Sequence, residues 1–431
     1  MSQKRGACPS LREPMQTGDG LLVRLGFRGG LAPEALRSLA ALAGRFGNGI
    51  LEVTARGNLQ IRGLSEASAA DLAEAVEALD PPLRSGIPVE VGPLAGLDPK
   101  EIVDPRLLAE TISARIEAEG LSARLGPKVS VIVDGGGELT FDESPADIRL
   151  TATRSVDGIL WRVAIGGTAV TARPYGRVTE RLAVAETLDI LLRIAAKGSD
   201  SRGRDLAGPA SQSGKATLEA SNPIGCHNLL QGRIALGVGL PFGQIRHEDL
   251  SALMDAAQAH GIEEIRLSPA RALLAICAGQ EAADALQVDA RKLGFVTDPA
   301  DVRRAIIACA GMPACGSAYI ATKAIAAEIA ADSQSKFDSR FRLHVSGCEK
   351  RCAGTIARGV TILGDQSGAR LILEGQPGAT QPVQVSDGIA AAAIAFAADF
   401  QDRKPAKSRP AGFPASVRRS SVADPIHQRP R

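Results

Sequence analysis

Aromatic residues are scarce in this chain. One Trp, two Tyr and ten Phe make up 3% of 431 residues, so the interior must be filled by Ala, Leu, Ile and Val rather than by rings. Charge excess is also lacking: a formal net charge of +2 points to neither a nucleic-acid surface nor a membrane surface. No apolar run approaches the length of a membrane span, and the polar start from Met1 to Arg5 has no apolar segment of the secretory kind. The expected compartment is therefore the reducing cytoplasm, where disulfides are rare. Dinucleotide signals are weak. Gly237-x-Gly239-x-x-x-Gly243 has the wrong spacing, the triple Gly at 135–137 is expected to join two strands as a hairpin, and no flavin motif is present.

Cysteine, in contrast, is patterned. Of seven residues, four form two pairs, Cys309 and Cys315 in IIACAGMPACGSA and Cys348 and Cys352 in LHVSGCEKRCAGT. Thiolates are the usual ligands of iron–sulfur clusters, and two short loops with two thiols each bring four sulfurs round a 4Fe-4S cubane. Structural zinc is the competing reading, although the five-residue gap of the first pair exceeds the usual two to four. A disulfide reading is weaker, given the compartment. Cys8 and Cys226 lie outside the pairs, and Cys277, in the apolar run LLAICAG, reads as a buried small hydrophobe.

At this length, with 45% hydrophobic residues, two to four lobes are expected. After a Pro- and Gly-punctuated arm, Leu21–Leu25 reads as a strand carrying Arg24, and Pro33 opens a helix with Leu36, Leu39, Leu42, Ala43 and Phe46 at helical spacing. Two strands follow, from Ile50 and from Leu59, and then a helix over 67–79. The same order returns after residue 230. Glu34, Leu36, Leu39, Ala43, Gly47, Leu51 and Val53 match Glu248, Leu250, Leu253, Ala257, Gly261, Ile265 and Leu267 at one offset, and Arg56 matches Arg271 after one extra residue. This is the mark of a duplication. The expected class is α+β: an arm and first ferredoxin-like repeat (1–80), an α/β lobe (81–200), a Gly/Ser-rich linker (201–221), a second repeat (222–294), a second lobe with the cysteines (295–400) and a disordered basic tail (401–431).

The cysteine pairs, the duplication and the TARGNLQIRG stretch together resemble the nitrite/sulfite reductase family, over nearly all of the chain up to about residue 400. That resemblance implies two ferredoxin-like repeats and two α/β lobes round a tetrapyrrole beside a 4Fe-4S cluster. It makes Cys309, Cys315, Cys348 and Cys352 the cluster ligands, with Cys352 nearest the macrocycle. It places Arg24 at an anion-binding position and Lys128 at an active-site lysine, the two candidate catalytic residues. Thr54, Arg56, Asn58, Gln60 and Arg62 fall on the run that grips tetrapyrrole carboxylates. The chain departs from the reductases where it reads Val89-Glu90-Val91-Gly92-Pro93, where Ser130 replaces a second lysine, at Gly57, and at Glu349-Lys350-Arg351 between the last two cysteines. A small oxyanion needs several cations aimed at its developing charge, and part of that cage is missing.

The arm, ARGNLQIRGL and NPIGCHNLLQGRIALGVGLPFGQI are similar to the precorrin-3B synthase branch of the same family. That branch implies an oxygen-dependent monooxygenase of cobalamin biosynthesis. Its substrate is precorrin-3A, hydroxylated at the meso carbon C-20 between rings A and D, with a lactone formed from the ring-A acetate. The branch also implies a mononuclear non-haem iron, and NADH as ultimate reductant acting through a separate electron-transfer protein. Such an iron favours His and carboxylate ligands. Among five histidines, His427 falls in the tail, His260 and His247 at helix ends; His227 is the first candidate and His344 the second. A sirohaem-dependent nitrite or sulfite reductase is the alternative.

Overall fold

The computed structural model describes residues 8–156, 158–207, 221–332, 342–354, 359–374 and 382–402. Residues 403–431 of the expected tail, with His427, and 208–220 of the expected linker lie outside the described residues.

The first unit runs β1 (Met15–Thr17), β2 (Gly20–Leu25), α1 (Pro33–Phe46), β3 (Ile50–Val53), β4 (Leu59–Leu64) and α2 (Glu66–Ala78). Pro33 opens α1 where a missing N–H costs nothing, and Leu36, Leu39, Ala40 and Ala43 form its buried face. Ser65 and Ser68 close the start of α2 in a reciprocal cap. The first lobe follows with β5 (Val89–Val91), α3 (Arg106–Ala118), β6 (Val131–Asp134), β7 (Ala146–Ser155), β8 (Gly158–Gly167), β9 (Arg173–Val178), α4 (Glu180–Ala196) and α5 (Gly203–Ala207). The second unit comprises β10 (Gly225–Asn228), β11 (Ile234–Gly239), β12 (Gln244–Arg246), α6 (His247–Ala259), β13 (Glu264–Ser268), β14 (Ala272–Cys277) and α7 (Gln280–Lys292). The second lobe holds β15 (Ile306–Ala308), α8 (Thr322–Asp332), β16 (Leu343–Ser346), β17 (Gly359–Asp365), β18 (Gly368–Glu374), β19 (Val383–Val385) and α9 (Ile389–Asp402).

Sheet topology bears out the duplication. The first repeat orders its strands β1-β2-β4-β3, the second β10-β11-β14-β13, all antiparallel. The lobes repeat as well: β5, β6 and β7 are parallel, with β8 and β9 antiparallel beyond them, and β15 to β19 do the same. The repeats exchange edges. β12, on the way into α6, pairs with β3, while Leu31, on the way into α1, exchanges two 2.8 Å hydrogen bonds with Ile265 of β13. Both repeats share one core, in which α1 packs on α6. That contact needs a glycine: a Cβ at Gly44 would lie 2.5 Å from the His247 ring. Separate cores serve the lobes.

Two expectations are corrected. The triple Gly at 135–137 does not close a hairpin, because β6 and β7 are parallel neighbours. Its role is close approach: the Gly135 carbonyl accepts from Ile102 and Val103, and a Cβ there would collide with the Val103 carbonyl. The expected linker is also shorter than its composition predicts. Asp147 accepts from Arg202 and from the Gly203 N–H at 2.7–2.9 Å, which docks α5 onto the first lobe.

Candidate functional site

Cys309 directly follows β15, and Cys348 lies two residues beyond β16, so both cysteine loops leave the carboxyl ends of adjacent parallel strands. Open α/β sheets present their ligands at that edge. The Cys309 N–H continues the ladder to the Val345 carbonyl at 3.0 Å, the Gly347 N–H donates to Cys309 Sγ at 3.2 Å, and the Thr322 hydroxyl holds the Cys309 carbonyl at 2.8 Å. All four cysteines line one cavity, together with Arg62, Lys350 and Gly18. A side chain at Gly18 would collide with Cys315 Sγ.

Among the described residues, no group of three or more His, Cys, Asp and Glu is drawn in to single-ion spacing. The four cysteines line one cavity, the arrangement that the ligands of a multi-iron cluster require. Thiol chemistry agrees. Burial, then the surrounding sulfurs, push the Cys352 thiol up to about 11, against the pull of Arg62, and burial likewise raises Cys309. A cationic cluster, when bound, would deprotonate these two thiols. The residues fit a 4Fe-4S group.

Facing the cavity is the outer face of the first sheet. Register aligns one polar row across four strands, Arg24 on β2, Gln60 on β4, Glu52 on β3 and Gln244 on β12. The alternate row, Val23, Ile61, Leu51 and Ile245, turns to the core, as the period of two demands. Arg62, two residues from Gln60, reaches the cavity with a side chain only 6% exposed. Two parallel bonds join it to Asp19 at 2.8 and 2.9 Å, and a weaker pair joins it to Glu52 at 3.2 and 3.3 Å. Burial opposes its charge, but Glu52 and Asp19 outweigh that and raise its pKa. Arg62 is thus neither a solvated surface arginine nor open to an incoming carboxylate. It braces the wall between sheet and cysteines.

The turn between β3 and β4 carries the other expected binding residues to the rim. The Thr54 hydroxyl accepts the N–H groups of Arg56 and Asn58 and closes the turn. Asn58 accepts from Arg84 at 2.8 Å. Arg56 pairs with the buried Glu90 at 2.8 Å, reaches Ser130 at 3.4 Å and holds the Pro145 carbonyl, which ties the turn to the first lobe. Lys128 stands exposed in the turn before β6, two residues from Ser130. Arg24 is half-buried, and desolvation lowers its pKa.

His227 is not brought to this place. It lies on β10, where Nδ1 is 3.3 Å from Glu138 and Nε2 3.2 Å from the Pro223 carbonyl, at the contact of the second sheet with the first lobe. The residue expected as an iron ligand thus lies away from the four cysteines, with both ring nitrogens against acceptors of that contact. His344, on β16, is 3% exposed and its Nδ1 has no hydrogen-bond partner among the described residues. Burial takes it down to about 4, so it is neutral. Cys277 is fully buried, as its apolar run predicts. The described residues assemble no separate mononuclear iron site.

Two cations went unforeseen in the sequence. Lys323, on α8, donates to the carbonyls of Ala308 at 3.2 Å and Phe242 at 3.4 Å, and burial pushes its ammonium down to about 7. Arg271, in the turn between β13 and β14, is desolvated and attracted by Glu52. The sequence matched Arg271 to Arg56 after one extra residue, but the two turns are equally long and Arg271 stands at the position of Gly57.

Comparison with known proteins agrees with this geometry. The profile of the nitrite/sulfite reductase ferredoxin-like half domain matches residues 13–79. The chain is 39% identical over 385 residues to a precorrin-3B synthase of Sinorhizobium sp, covering 87% of this chain and 84% of that protein. It is 24% identical over 379 residues to the ferredoxin–nitrite reductase of Synechococcus elongatus, covering 78% and 74%. Among solved structures, the Mycobacterium tuberculosis NirA protein superposes with a TM-score of 0.63 over 90% of this chain and 82% of its own, at 19% identity, a likeness of fold.

Proposed function

The chain belongs to the precorrin-3B synthase family, within the wider nitrite/sulfite reductase family, and from that premise we propose that it is an oxygen-dependent monooxygenase of cobalamin biosynthesis acting on precorrin-3A. The identity to the Sinorhizobium enzyme across 87% of the chain carries this reading. In the reaction, substrate, dioxygen, two electrons and two protons give the C-20 hydroxylated product and water, and the ring-A acetate closes a lactone. When bound by Cys309, Cys315, Cys348 and Cys352, the 4Fe-4S cluster supplies one-electron chemistry. NADH is the ultimate source of electrons and a separate electron-transfer protein their carrier. No step is assigned to a mononuclear iron, for which the described residues show no site.

The residues of this chain do the binding. Precorrin-3A carries a rim of acetates and propionates, and Arg recognises carboxylate through parallel hydrogen bonds. Arg24 and Gln60 present that chemistry on the outer face of the first sheet. Asn58 presents a polar edge at the rim, backed by Arg84, with Arg56 held beside it by Glu90. Thr54 sets the turn, Arg62 braces the wall towards Cys352, and Lys128 meets carboxylates entering from solvent. Glu90 works against a reductase. A buried carboxylate 2.8 Å from Arg56 cancels a positive charge that a small oxyanion would need.

The test is anaerobic incubation of cluster-loaded protein with precorrin-3A, followed by labelled dioxygen and mass analysis. One labelled oxygen atom in the product is expected. Unlabelled product would end the monooxygenase reading, and reduction of nitrite or sulfite with a sirohaem spectrum would establish the reductase.

A further inference from the structure

The tip of the β1–β2 hairpin is Gly18-Asp19, the two-residue loop between the paired Thr17 and Gly20. Strand β1 has little hold of its own. It is three residues long, lies at the edge of the first sheet, and its middle residue Gln16 is exposed. The tip is nevertheless fixed, and against another part of the molecule. Gly18 lines the cavity of the four cysteines. Its carbonyl accepts the Gly316 N–H at 3.1 Å, and a Cβ in its place would collide with Cys315 Sγ and come within 2.9 Å of Ser317 Oγ. The first repeat thus supplies one wall of a cavity whose sulfurs all belong to the second lobe.

Asp19 closes the tip down. Its side chain has no exposed area, which is unusual for a carboxylate in the loop of an edge hairpin. Arg62 donates to both oxygens at 2.8 and 2.9 Å, the parallel geometry in which arginine and carboxylate bind most strongly. The Thr17 hydroxyl adds a bond at 2.7 Å and the Asn48 amide one at 3.3 Å. Arg62 is itself fixed, by Glu52 and through its own carbonyl, which accepts the Asn48 N–H at 3.0 Å. It stands on β4, in the middle of the sheet, and lines the same cavity as Gly18. Asp19 therefore ties the hairpin tip to an anchored wall. A buried ion pair adds little net stability over an apolar contact, so its use here is the placement it enforces.

We propose that Asp19 is a positioning residue of the cluster site: by clasping Arg62 it latches Gly18 over Cys315 and holds the bound cluster in. The inference rests on the cluster reading above and adds to it a contribution of the first repeat. Opening of the latch, rather than unfolding of the second lobe, then sets how fast the cluster is lost. A tip held by one ion pair and a few hydrogen bonds opens far more often than a packed core.

The full chain is loaded with iron and sulfide under argon, and its visible absorbance is followed after addition of EDTA. The unaltered chain should lose absorbance slowly and Asp19→Asn about tenfold faster, the change in opening that one charge-assisted hydrogen bond accounts for. Gly18→Ala, which forces the tip off Cys315 and leaves the ion pair intact, should also lose it faster. Thr17→Val, the mildest change, should give about a threefold acceleration, and it carries the test if the other two do not load. Leu274→Gln, in the small core between the second repeat and the first lobe, is the control for lost stability, and its rate should stay that of the unaltered chain. Equal rates in the unaltered chain and the tip variants would overturn the proposal. So would an acceleration in Leu274→Gln as large as theirs, since cluster loss would then follow global stability. No visible absorbance in the unaltered chain would sink the cluster reading itself, and this inference with it.

Discussion

The molecule contains two versions of the same junction, in which the outer face of one repeat's sheet meets the strand-end loops of the opposite lobe. At the first, the sheet presents Arg24, Gln60, Arg62 and Glu52, and the second lobe answers with four cysteines. At the second, the equivalent sheet positions are Gly237, Leu274, Ile276 and Arg266. The loops after β5 and β6 bring Leu94, Leu97 and Leu139, which pack with Ala235, Leu274 and Ile276 into a small apolar core. Arg266 is spent on the carbonyls of Pro93 and Ala95, and His227 on Glu138. One junction holds a polar cavity and the other is filled. A duplicated frame supports a site wherever its register carries charge towards ligating loops, and becomes ordinary core where the same register carries Leu and Ile.

The comparison breaks most completely at the cysteines. Cys309→Ser or Cys352→Ser should abolish the visible absorbance of the cluster and turnover together, whereas Cys226→Ser, beside the filled junction, should change neither; absorbance and product formation report both. Arg62→Met comes next. It strands Asp19, whose side chain is fully buried, and Glu52, and should cost about 3–5 kcal/mol in denaturant unfolding, the penalty for uncompensated buried charge. The reverse exchange is milder. Leu274→Gln places in the filled junction the residue type of Gln60, without partners, and should cost about 2–3 kcal/mol with cluster and affinity for tetrapyrrole retained. The smallest effect is one of pH. In the two lobes His344 and Ile132 are equivalent, and burial takes His344 from 6.5 down to about 4. The unfolded chain then binds more protons between those values, so stability should fall as pH drops through that window. His344→Gln should flatten the slope in urea unfolding there.

Legibility in the sequence followed the range of the interactions. The cysteine quartet was readable because each pair sits in one short loop, and the helices and duplication because apolar periodicity is local. Helix α3 was not named, since its apolar positions Leu108, Ile112 and Ile116 sit among charges in a long irregular stretch. The surroundings of His227 were not legible, because a lone histidine beside a cysteine looks the same whether it faces iron or a carbonyl. Arg56, Asn58 and Gln60 were located by resemblance, but the roles of Glu90 and Arg84 were hidden, because residues 34 and 26 positions away had to meet them.

By itself, then, the sequence determined that this chain is a duplicated α+β protein with four thiols set for a cluster and a basic strand–turn–strand element. Spacing and periodicity act within a few residues, and nothing distant can cancel them. Only the tertiary structure decided which sheet face meets which loops, that Arg62 is a brace, and that Arg56 pairs with Glu90 of the first lobe. Those outcomes depend on register and on lobe placement. A side chain's partner across an interface is set by packing of the whole, and identical local patterns can be left paired, buried or waiting for a ligand.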